Sequence, residues 1–325
     1  MALLNIKLIV PLIALVLSLP QRGFSQDIFN YRGLCDASAA TALGNDHFVV
    51  ADDELNTLKI YKFRQENPVG TLDLSGFLDT ATEKESDLEG AAAIGTRIYW
   101  ISSHGNNKSG KVRKERYRFF ATEIKPGPTP ALALAPIGRP YRDILNDIIT
   151  AKELQAYKLA DAAKLAPEMP GGLNIEGLAA TPDGKLLIGF RNPIPNGASL
   201  IVPIENPADV VNGQKAKIGL PIELKLGGSG IRSIELVGTG YLIVAGPPGD
   251  VGNFALYRWS GKSDDAATLL PDIDFKDLRP EALFAIPQTD IVQILSDDGG
   301  VQEAGVFCKD KPKSKQSFRS ITLKP

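Results

Sequence analysis

Apolar residues in this chain come in short paired runs with a tight turn between them, and the unit recurs. Each clear copy opens on a charged or polar residue, passes through small and apolar residues, turns, and runs apolar again. A polar residue closes it, fifteen positions beyond the unit's glutamate in the two best copies. The unit reads as Asp87-Leu88-Glu89-Gly90 leading to His104, and as Asn174-Ile175-Glu176-Gly177 leading to Arg191. It recurs as Arg279-Pro280-Glu281-Ala282 leading to Ser296 and Asp297. A looser copy runs from Asp36 to Asp52, and a shortened one from Arg232-Ser233-Ile234-Glu235 to Gly246. A turn midway, most clearly at Pro182-Asp183-Gly184, makes each copy a β-hairpin whose opening and closing residues emerge at the same end.

The acidic positions Asp36, Glu89, Glu176, Glu235 and Glu281 are separated by 53, 87, 59 and 46 residues. Self-similarity at that period predicts a propeller or solenoid. Further strand candidates follow each hairpin, such as Leu58–Phe63 and Thr71–Leu74, or Ser199–Ile204 and Ile222–Leu226. The expected fold is therefore all-β: a β-propeller of about five four-stranded blades, or six if the long interval hides a degenerate one. That interval holds an insertion in the second blade over residues 126–172, Pro-rich and then helical. Ile144, Leu145, Ile148, Ile149, Leu154 and Tyr157 form an apolar stripe at helical spacing, expected to pack on the domain edge. Phe318–Leu323 is expected to supply the last outer strand.

Residues 1–25 carry Lys7, an apolar core from Leu8 to Leu19 and a small-residue site at Gly23-Phe24-Ser25, the pattern of a secretory signal too short to span a bilayer. The expected mature chain, 26–325, is one soluble propeller domain exported to the periplasm or outside the cell, and a monomer. Removing Lys7 and Arg22 leaves 34 basic residues against 38 acidic ones, which gives no electrostatic case for nucleic acid or an anionic membrane. The two cysteines, Cys35 and Cys308, stand near opposite ends of the mature chain. A closed ring brings those ends together, so in an oxidising compartment they can form a disulfide; two buried thiols are the alternative.

Several common active sites are missing. There is no Gly-x-Ser-x-Gly elbow, no phosphate loop and no His-Glu-x-x-His helix. With His47 and His104 the only histidines, a multi-histidine metal site is excluded. A relay through Ser102 or Ser103 and His104 would need geometry that residues so close on one chain seldom have. Carboxylates remain. The first strand of every propeller blade lines the central channel, so the hairpin ends carry Asp36, Asp52, Asp53, Glu89, Glu176, Glu281, Asp297 and Asp298 toward one mouth, together with Arg191, Arg232, Arg279 and His104. Such a cluster either holds a hard ion such as Ca²⁺ or neutralises itself as a lattice of salt bridges. After His104, the stretch Asn106, Asn107, Lys108, Ser109, Gly110 and Lys111 reads as an anion-binding loop or as a solvated basic one.

At these residues the chain resembles the DUF3616 family, a bacterial group of unestablished activity. The likeness rests on Phe48-Val49-Val50-Ala51-Asp52-Asp53-Glu54, on Asp87-Leu88-Glu89-Gly90-Ala91, and on Ser102-Ser103-His104-Gly105 with Ser109-Gly110-Lys111. It continues in Leu173-Asn174-Ile175-Glu176-Gly177-Leu178-Ala179 and Ile188-Gly189-Phe190-Arg191-Asn192-Pro193. The Glu-Gly units are more distantly similar to those of phytase-like esterase propellers, a likeness that implies calcium-assisted phosphoester hydrolysis.

Two functions are compatible with this reading. The first is a propeller that binds a small polar or anionic ligand, or a partner segment, at its charged mouth through Asp52, Asn106, Lys108, Arg232, Arg279, Glu281 and Asp297. The alternative is a Ca²⁺-assisted hydrolase of phosphate esters or lactones, with Glu89 and Glu176 as metal ligands or general base, His104 as acid or base, and Arg191 as anion clamp.

Overall fold

The computed structural model describes residues 27–126, 132–249 and 251–325. The signal expected over residues 1 to 25 lies outside the described residues, as do residues 127–131 of the expected insertion.

The strands fall into five four-stranded antiparallel sheets. A short strand β1 (Phe29–Arg32) comes first. Blade 1 is β2 (Ala37–Leu43), β3 (His47–Asp52), β4 (Thr57–Lys62) and β5 (Gly70–Asp73); blade 2 is β6 (Leu88–Ile94), β7 (Arg97–Ser102), β8 (Phe119–Pro126) and β9 (Leu132–Tyr141). Blade 3 is β10 (Asn174–Ala180), β11 (Leu186–Asn192), β12 (Ser199–Ile204) and β13 (Ile222–Leu224). Blade 4 is β14 (Gly230–Val237), β15 (Gly240–Gly246), β16 (Ala255–Trp259) and β17 (Thr268–Leu270). Blade 5 holds β18 (Pro280–Ala285) and β19 (Val292–Ser296), followed after a small ribbon of β20 (Gln302–Glu303) and β21 (Val306–Phe307) by β22 (Ser317–Leu323). The first strands pack side by side in the cycle β2, β6, β10, β14, β18 and back to β2. Five sheets in a closed cycle make a five-bladed propeller.

Two elements differ from the sequence expectation. β22 is the third strand of blade 5, and the outermost place is taken by β1, paired antiparallel with it from Phe29 opposite Ser320 to Arg32 opposite Ser317. Tyr31 anchors this closure, its buried ring 5.0 Å from Phe48 and 5.3 Å from Phe318. The Pro-rich half of the expected insertion contains the outer strand of blade 2, β9, and hides no sixth blade. Only the later half is an added connector, with helical segments at Ile144–Thr150, Lys152–Tyr157 and Leu159–Ala162. Ile144, Leu145, Ile148 and Leu154 of its apolar stripe are buried between blades 2 and 3.

The core is divided by the blades, each apolar cluster filling the wedge between two neighbouring sheets. This arrangement explains the glycine after two of the glutamates. A Cβ on Gly90 would stand 2.8 Å from Leu178 of blade 3, and one on Gly177 would stand 2.9 Å from Ile231 of blade 4. Any side chain there would push the inner strands apart.

Candidate functional site

Every inner strand carries a β-bulge at the same place. The pairing skips one residue between Ala37 and Ala39, Leu88 and Gly90, Ile175 and Gly177, Ile231 and Ser233, and Pro280 and Ala282. The extra residues are Ser38, Glu89, Glu176, Arg232 and Glu281, and a bulge re-aims the side chain it carries. These five form an inner ring around the channel. Two residues before each of these, at or just ahead of the strand's start, stand Asp36, Asp87, Asn174, Gly230 and Arg279, a second ring nearer the mouth. A polar cavity of about 630 Å³ opens there, lined by Asp36, Asp87, Asn174 and Arg279 of the outer ring and by Glu89 and Glu281 of the inner one.

The wall is divided by charge. Blades 1 and 2 form an acidic arc in which Asp53 is shared by two groups of close carboxylates, Asp36 with Asp52 and Asp87 with Glu89. Asp36 is 7% exposed and Glu89 8%, and neither carboxylate has a hydrogen bond or a close ion pair among the described residues. The Asp53 Oδ1 atom is sealed from solvent without a donor. Asp87 is partly compensated, since the Arg116 guanidinium at 2.9 Å and the Ser103 hydroxyl both reach its Oδ2. Burial and like charges push these acids up: Asp36 to about 8, Asp52 to about 7, chiefly by burial, and Asp53 and Glu89 well above the carboxylate range.

Blades 3, 4 and 5 are the basic arc. Glu176 lies beneath the cavity, 2% exposed, between the Arg191 Nη1 at 2.7 Å and the Arg232 Nε at 3.1 Å, with the Asn174 amide donating at 3.0 Å. Arg232 continues to Glu281 of blade 5 and packs its guanidinium 5.6 Å from the centre of the Phe254 ring. This chain of Arg191, Glu176, Arg232 and Glu281 links three blades. Among the cations of the wall, Arg116 is tied to Glu85 and Asp87, Lys108 stands 3.6 Å from Glu168, and Lys309 lies 2.6 Å from Glu54. The Arg279 guanidinium is different: among the described residues it makes no hydrogen bond or close ion pair, only a longer-range attraction to Asp297. Gly299 and Gly300 make room beside it, since a Cβ on Gly299 would fall 1.5 Å from the Asp36 Oδ1 and one on Gly300 2.5 Å from the Arg279 Nη1.

The structure brings Glu89, Arg191, Lys108, Arg279, Glu281 and Asp297 to the cavity wall. Glu176 and Arg232 lie just beneath it, and Asp52 behind Asp53, where it accepts from the backbone N–H groups of Glu54 and Leu55. The expected convergence of His104 with these residues does not occur. His104 is 1% exposed, donates from Nδ1 to the Ser102 carbonyl at 2.8 Å and stacks on Tyr117 with ring centres 5.7 Å apart. Burial pushes it down to about 4, so it is neutral. Asn106 is likewise turned away, its amide capping the carbonyls of Ala163 and Leu165. Asp298 points into blade 5 and grips Arg319. The pairing of Glu89 with Glu176 as metal ligands gives way to Glu89 with Asp53 and Asp87, because both Glu176 oxygens face guanidinium groups. The wall positions of Asn174, Glu85, Glu168 and Lys309 escaped the sequence reading; the offset of two residues before the bulge was the available signal for Asn174.

Arg232, not Glu235, is the blade 4 counterpart of Glu89. Glu235 sits farther along β14, near the Ala285 N–H at 3.4 Å, and burial pushes its carboxyl up to about 8. The folded chain thus holds a proton that the unfolded chain releases near the ordinary glutamate value of about 4.3. Its stability contribution is complete below that value and falls as pH rises toward 8, by at most about 1.4 kcal/mol per pH unit. Glu235→Gln is expected to flatten the fall in melting temperature between pH 5 and pH 8; a variant curve parallel to the parent curve would refute the assignment.

The model of the DUF3616 family, described as a protein of unknown function, matches residues 146–292, from the helical connector to the start of β19. No curated protein sequence matches the chain. Among solved structures, a glutaminyl cyclase from Myxococcus xanthus is similar at 11% identity, with 90% of this chain and 94% of that chain covered and a TM-score of 0.43. The PQQ-bound aldose sugar dehydrogenase from Streptomyces coelicolor is 10% identical, with 92% and 99% covered and a TM-score of 0.44. None of these matches bears on the likeness to phytase-like esterases.

Proposed function

We propose that the chain is an exported ligand-binding propeller whose channel mouth takes a small polar molecule through an anionic group, with Arg279 as its reader. The observation that carries this reading is the uncommitted Arg279 guanidinium on a cavity of about 630 Å³, a volume in the small-molecule range of roughly 300–1,000 Å³. A guanidinium offers a fork of donors that matches carboxylate and phosphate oxygens. Asn174, whose Oδ1 is buried without a hydrogen bond, adds a polar contact on the same wall. The bond between Cys35 and Cys308 supports an oxidising compartment.

Calorimetric titration of the purified chain with inorganic phosphate, glucose 6-phosphate and malonate, in the presence of Ca²⁺, tests the proposal. At least one probe should bind, and Arg279→Gln should weaken it by about tenfold or more while leaving the melting temperature within a few degrees, because no hydrogen bond or close ion pair to a described residue is lost. Equal binding by parent and variant, or no binding of any probe, would overturn it. Turnover of 4-nitrophenyl phosphate or a lactone by the same samples would favour the hydrolase alternative instead.

A further inference from the structure

We infer that Asp53, Asp87 and Glu89 form a binding site for one hard divalent cation, Ca²⁺ by its size, on the acidic arc between blades 1 and 2. One oxygen from each residue lies within 4.8 Å of the other two. Oxygens at a Ca²⁺ distance of about 2.3–2.6 Å from a shared centre fit within this limit, and a set open to water on the cavity side suits the roughly six to eight oxygens and flexible geometry that Ca²⁺ accepts better than the strict octahedron of Mg²⁺.

The available oxygens point the same way. Glu89 is 8% exposed, faces the cavity and makes no hydrogen bond or close ion pair with a described residue, only longer-range attractions to Arg232 and Arg191. The Asp53 Oδ1 atom is buried without a donor. On Asp87 both donors, Arg116 and Ser103, converge on Oδ2, which leaves Oδ1 for a cation. Other buried acids of this end are committed differently: Glu176, Glu281 and Asp298 each hold a guanidinium, and Asp52 accepts from the backbone N–H groups of Glu54 and Leu55. Carboxylates this close and this far from solvent repel one another unless a proton or a cation intervenes, and Arg116 meets only Asp87 by direct contact. Asp36, which makes no hydrogen bond or close ion pair with a described residue and lies within the field of Lys309, borders the set through Asp53 and can accept hydrogen bonds from coordinated water. Ca²⁺ takes about six to eight oxygens, so positions on the cavity side remain for water or for an oxyanion. The cation site does not depend on Arg279 or on the anion reading above.

Chelator-treated protein titrated with CaCl₂ and, separately, MgCl₂ at neutral pH gives the test. The expected result is one Ca²⁺ per chain, binding about tenfold or more tighter than Mg²⁺, with a melting temperature that rises with Ca²⁺ concentration as expected for a ligand of the folded state. Glu89→Gln and Asp53→Asn should each weaken Ca²⁺ by about tenfold or more. Without Ca²⁺ both variants should melt at or above the parent, because each amide keeps the shape of an acid whose ionisation the arc already opposes, and this shows that the fold is intact. Arg279→Gln should leave Ca²⁺ affinity within about threefold, so that loss of phosphate or malonate binding with Ca²⁺ binding intact would sink the anion reading alone. No Ca²⁺ binding by the parent up to about 10 mM, or unchanged affinity in both carboxylate variants, would overturn this inference; extracellular Ca²⁺ sites reach about 10⁻³ M.

Discussion

Glu176→Ala is expected to destabilise the folded chain by about 3–5 kcal/mol, the usual cost of leaving a buried charge without its partner. Two guanidinium groups lose a shared partner here, because Arg191 at 2.7 Å and Arg232 at 3.1 Å both reach this one carboxylate and all three side chains are nearly inaccessible to solvent. Arg232 keeps Glu281 of blade 5 and Arg191 keeps its bond to the Pro247 carbonyl, so what is lost is the direct tie between blades 3 and 4. For a domain of this size the change corresponds to a fall in melting temperature of roughly 10 °C. Urea unfolding of parent, Glu176→Ala and Glu176→Gln checks it. The amide should recover part of the loss because its carbonyl oxygen still accepts one hydrogen bond. A melting temperature within about 2 °C of the parent for the alanine variant would mean that this carboxylate does not hold the blades together.

Replacing Cys35 and Cys308 together by serine should cost about 5 kcal/mol, the largest single effect expected for this chain. The bond joins residues 273 apart in sequence, and closing so long a loop removes much entropy from the unfolded chain. It also staples the approach to β2 in blade 1 to the segment before β22 in blade 5, beside the Asp298 N–H that donates to the Cys35 carbonyl at 2.9 Å. The double variant and the parent under reducing conditions should melt together, both well below the oxidised parent. If the oxidised parent and the double variant unfold at the same urea concentration, the bond contributes nothing.

What was legible in the sequence was whatever depends on local repetition. Paired apolar runs with a turn between them revealed the inner hairpins, and their spacing revealed the blades. Gly184, which adopts φ +80° between Thr181 and Lys185, is one such turn read correctly. Elements that depend on a distant partner were harder to see. β9 was hidden because Pro136 and Pro140 lie in an outer strand, where missing donors are tolerated. β1 is four residues long and is a strand only because β22 lies beside it. Arg232 was expected at the mouth, but Glu235 was counted as the repeat position of blade 4, because a bulge is a property of pairing and leaves no mark in one strand read alone. His104 was expected at the mouth from its spacing; a left-handed backbone at φ +55° and stacking on Tyr117 turn its ring inward.

The pairing of β1 with β22 also bears on how the chain comes to be folded. The Ser320 hydroxyl donates to the Phe29 carbonyl 291 residues away, so the last blade cannot be finished until almost every residue between them is available. During synthesis, blades 1 to 4 can each gather their own four strands in order, while β18 and β19 wait with an open edge. Contacts of such long range are slow to form. A chain halted or cut before Ser317 would keep four whole blades and still lack a ring, with Tyr31 and the apolar wedge around Phe48 exposed to other chains. Completion of the last blade therefore works as an all-or-none test of an intact polypeptide, one that a solenoid of the same blades, open at both ends, would not impose.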